Sequence, residues 1–315
     1  MSQSKVVIIG TGFVGMSYAY ALLNQGTVEE IVLIDIDQRK AEGEAMDLNH
    51  GLAFAPRKMS IKSGTYEDCK DAGLVVITAG VNQKDGETRI DLLNRNAKIM
   101  QSVVGEVMKS GFDGIILVAT NPVDILTYVV WKASGLPSNR VIGSGTSLDT
   151  ARLRYEISQY IHIDVRNIHA YILGEHGDSE FVCWSNANVG GKPFKDVIES
   201  MPNHIKFSDL DAIYKDVKNA AYDIISRKRA TYYGIGMALV RITSAIFNNE
   251  NRILPISVYN DGVYDIEKDL YIGLPAVLNK NGVDHVVRLN LDPEETANLK
   301  KSAQILKTNI DLMNY

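Results

Sequence analysis

Lys5-Val6-Val7-Ile8-Ile9-Gly10-Thr11-Gly12-Phe13-Val14-Gly15 decides the fold: an apolar run of strand character enters a turn of three glycines, and an Ala- and Leu-rich helical stretch follows from Ser17 to Asn24. Each glycine has a separate steric task in a strand–turn–helix unit. Gly10 permits the tight turn, Gly12 lets the backbone approach a pyrophosphate, and Gly15 lets the helix pack on the strand, with the helix N-terminus facing the phosphates. Such a turn gains meaning when a second strand ends in an acidic residue about twenty positions on. Glu30 to Ile34 supplies that strand and Asp35 the carboxylate. A carboxylate there is placed to hydrogen-bond both ribose hydroxyls of NAD and to repel the extra phosphate of NADP. Phe13 and Val14, inside the turn, would border the cofactor together with the glycines.

Working outward, apolar runs of strand length alternate with helical stretches as far as Ile142: after the first two come Leu74 to Thr78, Ile115 to Ala119 and Val141 to Ile142. That alternation predicts an α/β fold with a Rossmann-type, doubly wound parallel sheet over residues 1–143. Ligands then bind beyond the carboxyl ends of the strands. Residues 144–315 read as a mixed α+β substrate domain. Strand-like Asn167 to Leu173 precedes a long helical stretch, and Ile253 to Leu291 reads as antiparallel strands around Asp261-Gly262 and Asn281-Gly282 turns. The chain closes on a helix with Asp292 as N-cap, Pro293 at its first position, Glu295 completing a capping box, and a packing stripe of Leu299, Ala303, Leu306, Ile310 and Met313.

The catalytic candidates lie just past the boundary. His176 sits between Glu175 and Gly177 after the strand-like run, an imidazole suited to act as general acid and base if something orients it. Asp149 and Arg152, three residues apart, share a helix face. The carboxylate can reach the far nitrogen of His176 while the guanidinium clamps an acidic substrate, a proton-transfer site for a small organic acid.

Two further strand ends carry polar chemistry. Ala79-Gly80-Val81-Asn82-Gln83-Lys84-Asp85-Gly86-Glu87-Thr88-Arg89 reads as a loop with glycines near both ends, a lid that would bring Arg89 beside a reacting carbonyl and exclude water. Gln83 would touch the far end of the substrate, and Gly80 would border the cofactor. Asn121, in Thr120-Asn121-Pro122-Val123-Asp124, would hold both cofactor and substrate carbonyl, unless it simply caps the next helix.

Bulk composition excludes other classes. The chain has 315 residues, 45% hydrophobic and 23% charged, which is ordinary for a two-domain globular protein. A net charge of −5 without a basic stripe disfavours nucleic acid and anionic membranes as partners. No apolar stretch reaches the roughly 18 to 20 residues a membrane helix needs, and no signal-peptide pattern precedes the first strand, so a cytoplasmic location is expected. Cys69 and Cys183 stand apart from any paired Cys or His spacing, which fits a reducing compartment and predicts no metal site.

Together these residues resemble the NAD-dependent L-lactate dehydrogenases, bacterial allosteric type, within the lactate and malate dehydrogenase superfamily, over essentially the whole chain. The resemblance implies reversible hydride transfer between NADH and pyruvate, giving L-lactate and NAD+, in glycolytic fermentation. It assigns NAD to the glycine turn and Asp35, the lid role to Arg89, the carbonyl contact to Asn121, and the catalytic core to Asp149, Arg152 and His176. Thr231, in Ala230-Thr231-Tyr232-Tyr233-Gly234, matches the pocket wall near the substrate methyl. Malate dehydrogenases carry arginine where Gln83 stands, so the neutral amide favours pyruvate over oxaloacetate. In the allosteric members, residues matching Arg154 and His169 bind fructose 1,6-bisphosphate across a subunit interface, which implies that activator and a homotetramer. The first strand begins by Lys5, so the N-terminal arm that braces vertebrate tetramers is not expected. Malate dehydrogenase is the nearest alternative. A non-catalytic NAD-binding sensor is another, and the NAD-dependent glycosidases, which need a metal held by Cys and His, are a third.

Overall fold

The computed structural model describes residues 4–81, 86, 88–201 and 207–313. The first half alternates strand and helix: β1 (Lys5–Ile9), α1 (Phe13–Gln25), β2 (Glu30–Ile34), α2 (Gln38–His50), β3 (Ser60–Ser63), β4 (Leu74–Ile77), α3 (Arg89–Lys109), β5 (Ile115–Val118), α4 (Val123–Ser134) and β6 (Val141–Gly143). The second half begins with α5 (Ser147–Ile161) and five two-residue strands, β7 (Ile168–His169), β8 (Ile172–Leu173), β9 (Phe181–Val182), β10 (Asn188–Val189) and β11 (Lys192–Pro193). Then come α6 (Phe194–Glu199), α7 (Phe207–Lys228), α8 (Tyr233–Phe247), β12 (Arg252–Asn260), β13 (Leu270–Asn279), β14 (Gly282–Val286) and α9 (Pro293–Asp311).

The parallel strands run in the order β3-β2-β1-β4-β5-β6, the doubly wound arrangement, with β1 and β4 at the switch point. β1, β4 and β5 are buried along their whole length, which is why they read as unbroken apolar runs. β3 is the strand that the apolar runs do not announce. It pairs only with β2, buries Ile61 and exposes Ser60 and Lys62, so an edge position asks little hydrophobicity of it. α1 starts at Phe13, four residues before the Ala-rich stretch, because the glycine turn itself leads directly into the helix.

The antiparallel strands around Asn281-Gly282 do not form a sheet of their own. β12 pairs with β6 through Ser257 and Gly143, so one nine-stranded sheet runs on as β6-β12-β13-β14. Helix contacts also cross the two halves. α1 lies on α8, where Gly236 lets the backbone of Ser17 approach and the Tyr18 hydroxyl meets Thr243 Oγ1 at 2.6 Å. The second half keeps a smaller core of its own, in which Leu153, Ile157, Ile172 and Ile213 are buried under α5 and α7. α9 closes the molecule as its cap residues require: Asp292 accepts from Glu295 N at 2.8 Å, and Leu299, Ala303, Leu306 and Ile310 are buried.

The glycine turn gives a test of this packing. A Cβ on Gly15 would overlap the Gly10 carbonyl and lie 2.8 Å from Thr78 Oγ1, whereas one on Gly12 would meet nothing within 4 Å. Gly15→Ala is therefore expected to lower the unfolding free energy measured by urea titration by the ~1–3 kcal/mol typical of overpacking. Gly12→Ala should cost less than ~1 kcal/mol, the scale of a changed helix cap. Equal losses in the two variants would contradict this assignment of the close approach.

Candidate active site

The first turn of α5 is stitched to the strand that leads to His176. Thr146 Oγ1 donates to the Ile172 carbonyl at 2.6 Å, and Thr150 Oγ1 accepts from Ile172 N at 3.0 Å. These two buried threonines flank Asp149 in sequence and fix its distance from the strand. Past β8 the chain turns at Gly174, which exchanges a pair of backbone hydrogen bonds with Gly273 of β13. His176 N then donates to Asp124 Oδ2 at 2.8 Å, and Asp124 in turn accepts from the Ser257 hydroxyl. Elements of both halves therefore set where the imidazole stands.

At the centre, Asp149 uses both oxygens. Oδ2 lies 2.6 Å from His176 Nδ1, and Oδ1 accepts from Arg152 Nη1 at 2.9 Å. Asp149 is 3% exposed, while the His176 and Arg152 side chains keep 24% and 15% of their exposure. Nε2 of His176 and the outer face of Arg152 are thus left for something else. Burial alone would lower the imidazole pKa, but the charge and hydrogen bond of Asp149 outweigh it and raise His176 to about 9. Burial would raise Asp149, yet the facing His176 and Arg152 hold it below its ordinary value. Its place in the first turn of a helix also favours an anion. The result is an imidazole that carries a proton at neutral pH and can release it at a carbonyl-sized acceptor.

The cofactor side lies at the carboxyl ends of the neighbouring strands. Asp35, half-exposed at the end of β2, accepts from Thr11 N and Thr11 Oγ1 at 2.7 Å each and from Asp37 N at 3.0 Å. Burial acts to raise its pKa, but these donors win and keep it low, so the carboxylate stays charged for a ribose diol. Gly12 opens α1 with no side-chain cap and open space above it, which leaves the first N–H groups of the helix to a phosphate. The residues present fit a dinucleotide. Gly10 takes φ 105°, and a Cβ there would come within 2.6 Å of Ala79 N, so the close crossing of β1 and β4 demands glycine.

The other candidates distribute around this centre. Gly80 crosses Thr120, whose hydroxyl donates to the Ala79 carbonyl at 2.7 Å, so its lack of a side chain serves strand packing beside the cofactor cleft. Val14 is half-buried against the core, and the exposed Phe13 ring stacks on Tyr232 at 5.1 Å. Asn121 is exposed at the end of β5, and Pro122 rather than Asn121 holds the cap position of α4, which leaves the amide free of a capping role. Thr231 is half-buried, and Gly234 three residues on lies against Leu148, next to Asp149. Arg89 opens α3, but its side chain, like all of Gln83, lies outside the described residues. Arg154 faces away from Arg152: its Nε donates to the Ala170 carbonyl at 3.1 Å and its guanidinium lies over the Tyr171 ring. His169 is exposed on β7, one residue from that carbonyl.

Two groups of the site escaped the reading of the sequence. Asp124, in the first turn of α4, was given no role by its sequence, yet it is buried and pushed up to about 6 by desolvation. Glu180, four residues past His176, is 7% exposed, and its carboxyl lies with Asp149 and His176 in a group whose polar atoms are all within 4.8 Å. Neither position carries a sequence signal, because burial of a lone acid depends on what tertiary packing lays over it.

Residues 4–143 match the family model for the lactate/malate dehydrogenase NAD binding domain, and residues 146–314 that for its alpha/beta C-terminal domain. Among curated relatives, an L-lactate dehydrogenase of Bacillus velezensis is 57% identical over 304 residues, covering 96% of this chain and 95% of its own. L-lactate dehydrogenase 2 of Bacillus cereus is 56% identical, with 96% of each chain covered. Among solved structures, a lactate dehydrogenase from a Medee basin deep-sea metagenome library superposes with TM-score 0.99 at 75% identity over 100% of both chains. The ligands-bound minor L-lactate dehydrogenase of Enterococcus mundtii gives 0.96 at 53% identity, with 99% of this chain and 98% of that one covered.

Proposed function

Because the chain belongs to the lactate/malate dehydrogenase family, we propose that it is an NAD-dependent L-lactate dehydrogenase that interconverts pyruvate and L-lactate. One observation carries the reading: a single buried carboxylate, Asp149, holds both the proton donor and the carboxylate clamp. The nicotinamide cofactor supplies the hydride. Asp35 and the first turn of α1 hold its ribose and pyrophosphate, and Asn121 lies at the strand end between cofactor and substrate. Arg152 grips the substrate carboxylate through two parallel hydrogen bonds and fixes its orientation. His176, charged, donates from Nε2 to the carbonyl oxygen as negative charge develops there, and in the reverse direction neutral His176 takes the hydroxyl proton. Asp149 keeps Nδ1 protonated and stabilises the imidazolium. Arg89, at the head of α3, completes the charge stabilisation at the oxygen. Thr231 forms the wall beside the substrate methyl.

Gln83 supports pyruvate over oxaloacetate, since an amide leaves a second carboxylate unpaired in a closed site. The nonreacting alternatives are less well supported, because a sensor has no need of a proton donor and clamp on one carboxylate. The family's fermentative role, a cytoplasmic location, a homotetramer and activation by fructose 1,6-bisphosphate complete the proposal. For the activator, Arg154 is turned away from Arg152 and reaches the Ala170 carbonyl, one residue past His169.

Steady-state kinetics test the reaction. The specificity constant for pyruvate should exceed that for oxaloacetate by ~30–160-fold, the ~2–3 kcal/mol of an unpaired buried charge. Gln83→Arg should invert the order, and a wild type that favours oxaloacetate would refute the lactate reading. Fructose 1,6-bisphosphate should lower the pyruvate KM several-fold and move sedimentation towards the tetramer, with both responses weaker at high salt. Arg154→Gln combined with His169→Gln should abolish both. A response that survives in the double variant would remove these residues from the effector site.

A further inference from the structure

Glu180 has no part in the reaction as described, yet it packs directly behind the group that drives it. It follows His176 by four residues, is buried, and its carboxyl group lies within 4.8 Å of the Asp149 carboxylate and the His176 ring nitrogen, close enough for the two acids to share a proton. Two carboxyl groups can share a hydrogen bond only if one of them keeps a proton. Asp149 faces two cations, Arg152 and His176, and so keeps its charge. The proton belongs to Glu180, and burial together with the neighbouring Asp149 pushes its pKa up to about 8. Around it, α7 contributes Lys218, whose ammonium donates to the Asp178 carbonyl at 2.8 Å, and Tyr214, whose hydroxyl donates to Glu180's own carbonyl. Asp124 faces His176 from α4. Glu180, Tyr214, Lys218 and Lys301 also border a cavity of about 500 Å³, so solvent can reach the far side of this acid.

We propose that Glu180 is a proton-carrying positioning residue: as a neutral acid it donates to Asp149 and leaves the site with the positive charge that an incoming substrate anion must meet. The argument is one of charge balance. With Glu180 neutral, Arg152 and protonated His176 face Asp149 alone, and one positive charge remains for the substrate carboxylate. Lys218 and Asp124, one of each sign, stand further back. Loss of the Glu180 proton would cancel the remaining charge and set a second carboxylate against the substrate inside a low-dielectric site. Productive binding therefore needs two protons on the free enzyme, one on His176 and one on Glu180, and the pair titrates as a coupled unit.

This inference rests on the proposed reduction of pyruvate, and its test separates the two. The specificity constant for pyruvate reports the protonation of the free enzyme. Above pH ~9 it should fall about a hundredfold per pH unit in the wild type, a limiting slope of about −2 in the logarithmic profile. Glu180→Gln keeps a neutral donor to Asp149 that cannot ionise, and should fall only about tenfold per unit. A side chain that merely filled space would change the height of the profile and leave its slope alone. A wild-type slope of about −1, or equal slopes in wild type and variant, overturns the proposal. The wild-type slope decides the matter even if Glu180→Gln does not fold. Absence of any pyruvate reduction near neutral pH would instead refute the reaction itself.

Discussion

One buried carboxylate, Asp149, has to remain ionised inside the protein, and much of the site follows from that requirement. An isolated carboxylate at 3% exposure would be strongly destabilised. It is tolerated here because His176 and Arg152 each take one of its oxygens and the first turn of α5 offers the positive end of a helix dipole. The same contacts that stabilise the anion also orient the imidazole and aim the guanidinium. Stabilising the charge and building the chemistry are one arrangement.

The fold serves this centre by bringing two halves of the chain to one end of a single sheet. β1, β2, β4 and β5 deliver the glycine turn, Asp35, Gly80 and Asn121 at their carboxyl ends. The antiparallel extension contributes differently: Ser257 of β12 holds Asp124, and Gly273 of β13 holds Gly174, so both fix the approach to His176 without touching a substrate. Continuity of the sheet through β6 and β12 thus ties the placement of His176 to that of the glycine turn and Asp35.

Much of this was legible in the residues. The apolar runs of β1, β2, β4 and β5 and the glycine turn follow from backbone sterics and from burial on both faces, and the Asp149–Arg152 spacing follows from helix geometry. So does the capping box of α9. What stayed hidden depends on tertiary packing. β3 is polar because it lies at an edge, β12 to β14 give no sign that they continue the first sheet, and Asp124 and Glu180 look like surface acids until other elements cover them. Arg154 illustrates the middle ground: its direction away from Arg152 follows from helical spacing, whereas its seat over Tyr171 does not.

The central claim is that Asp149 holds a proton on His176 against the effect of burial, and a direct titration of that imidazole tests it. With 15N-labelled histidine, the His176 ring resonances should titrate near pH 9, and in Asp149→Asn the midpoint should fall towards the ordinary value of about 6.5, because burial then loses its largest counterweight and faces only the charges of Glu180 and Asp124. A wild-type midpoint at or below about 6.5, or one that Asp149→Asn leaves in place, would contradict the account.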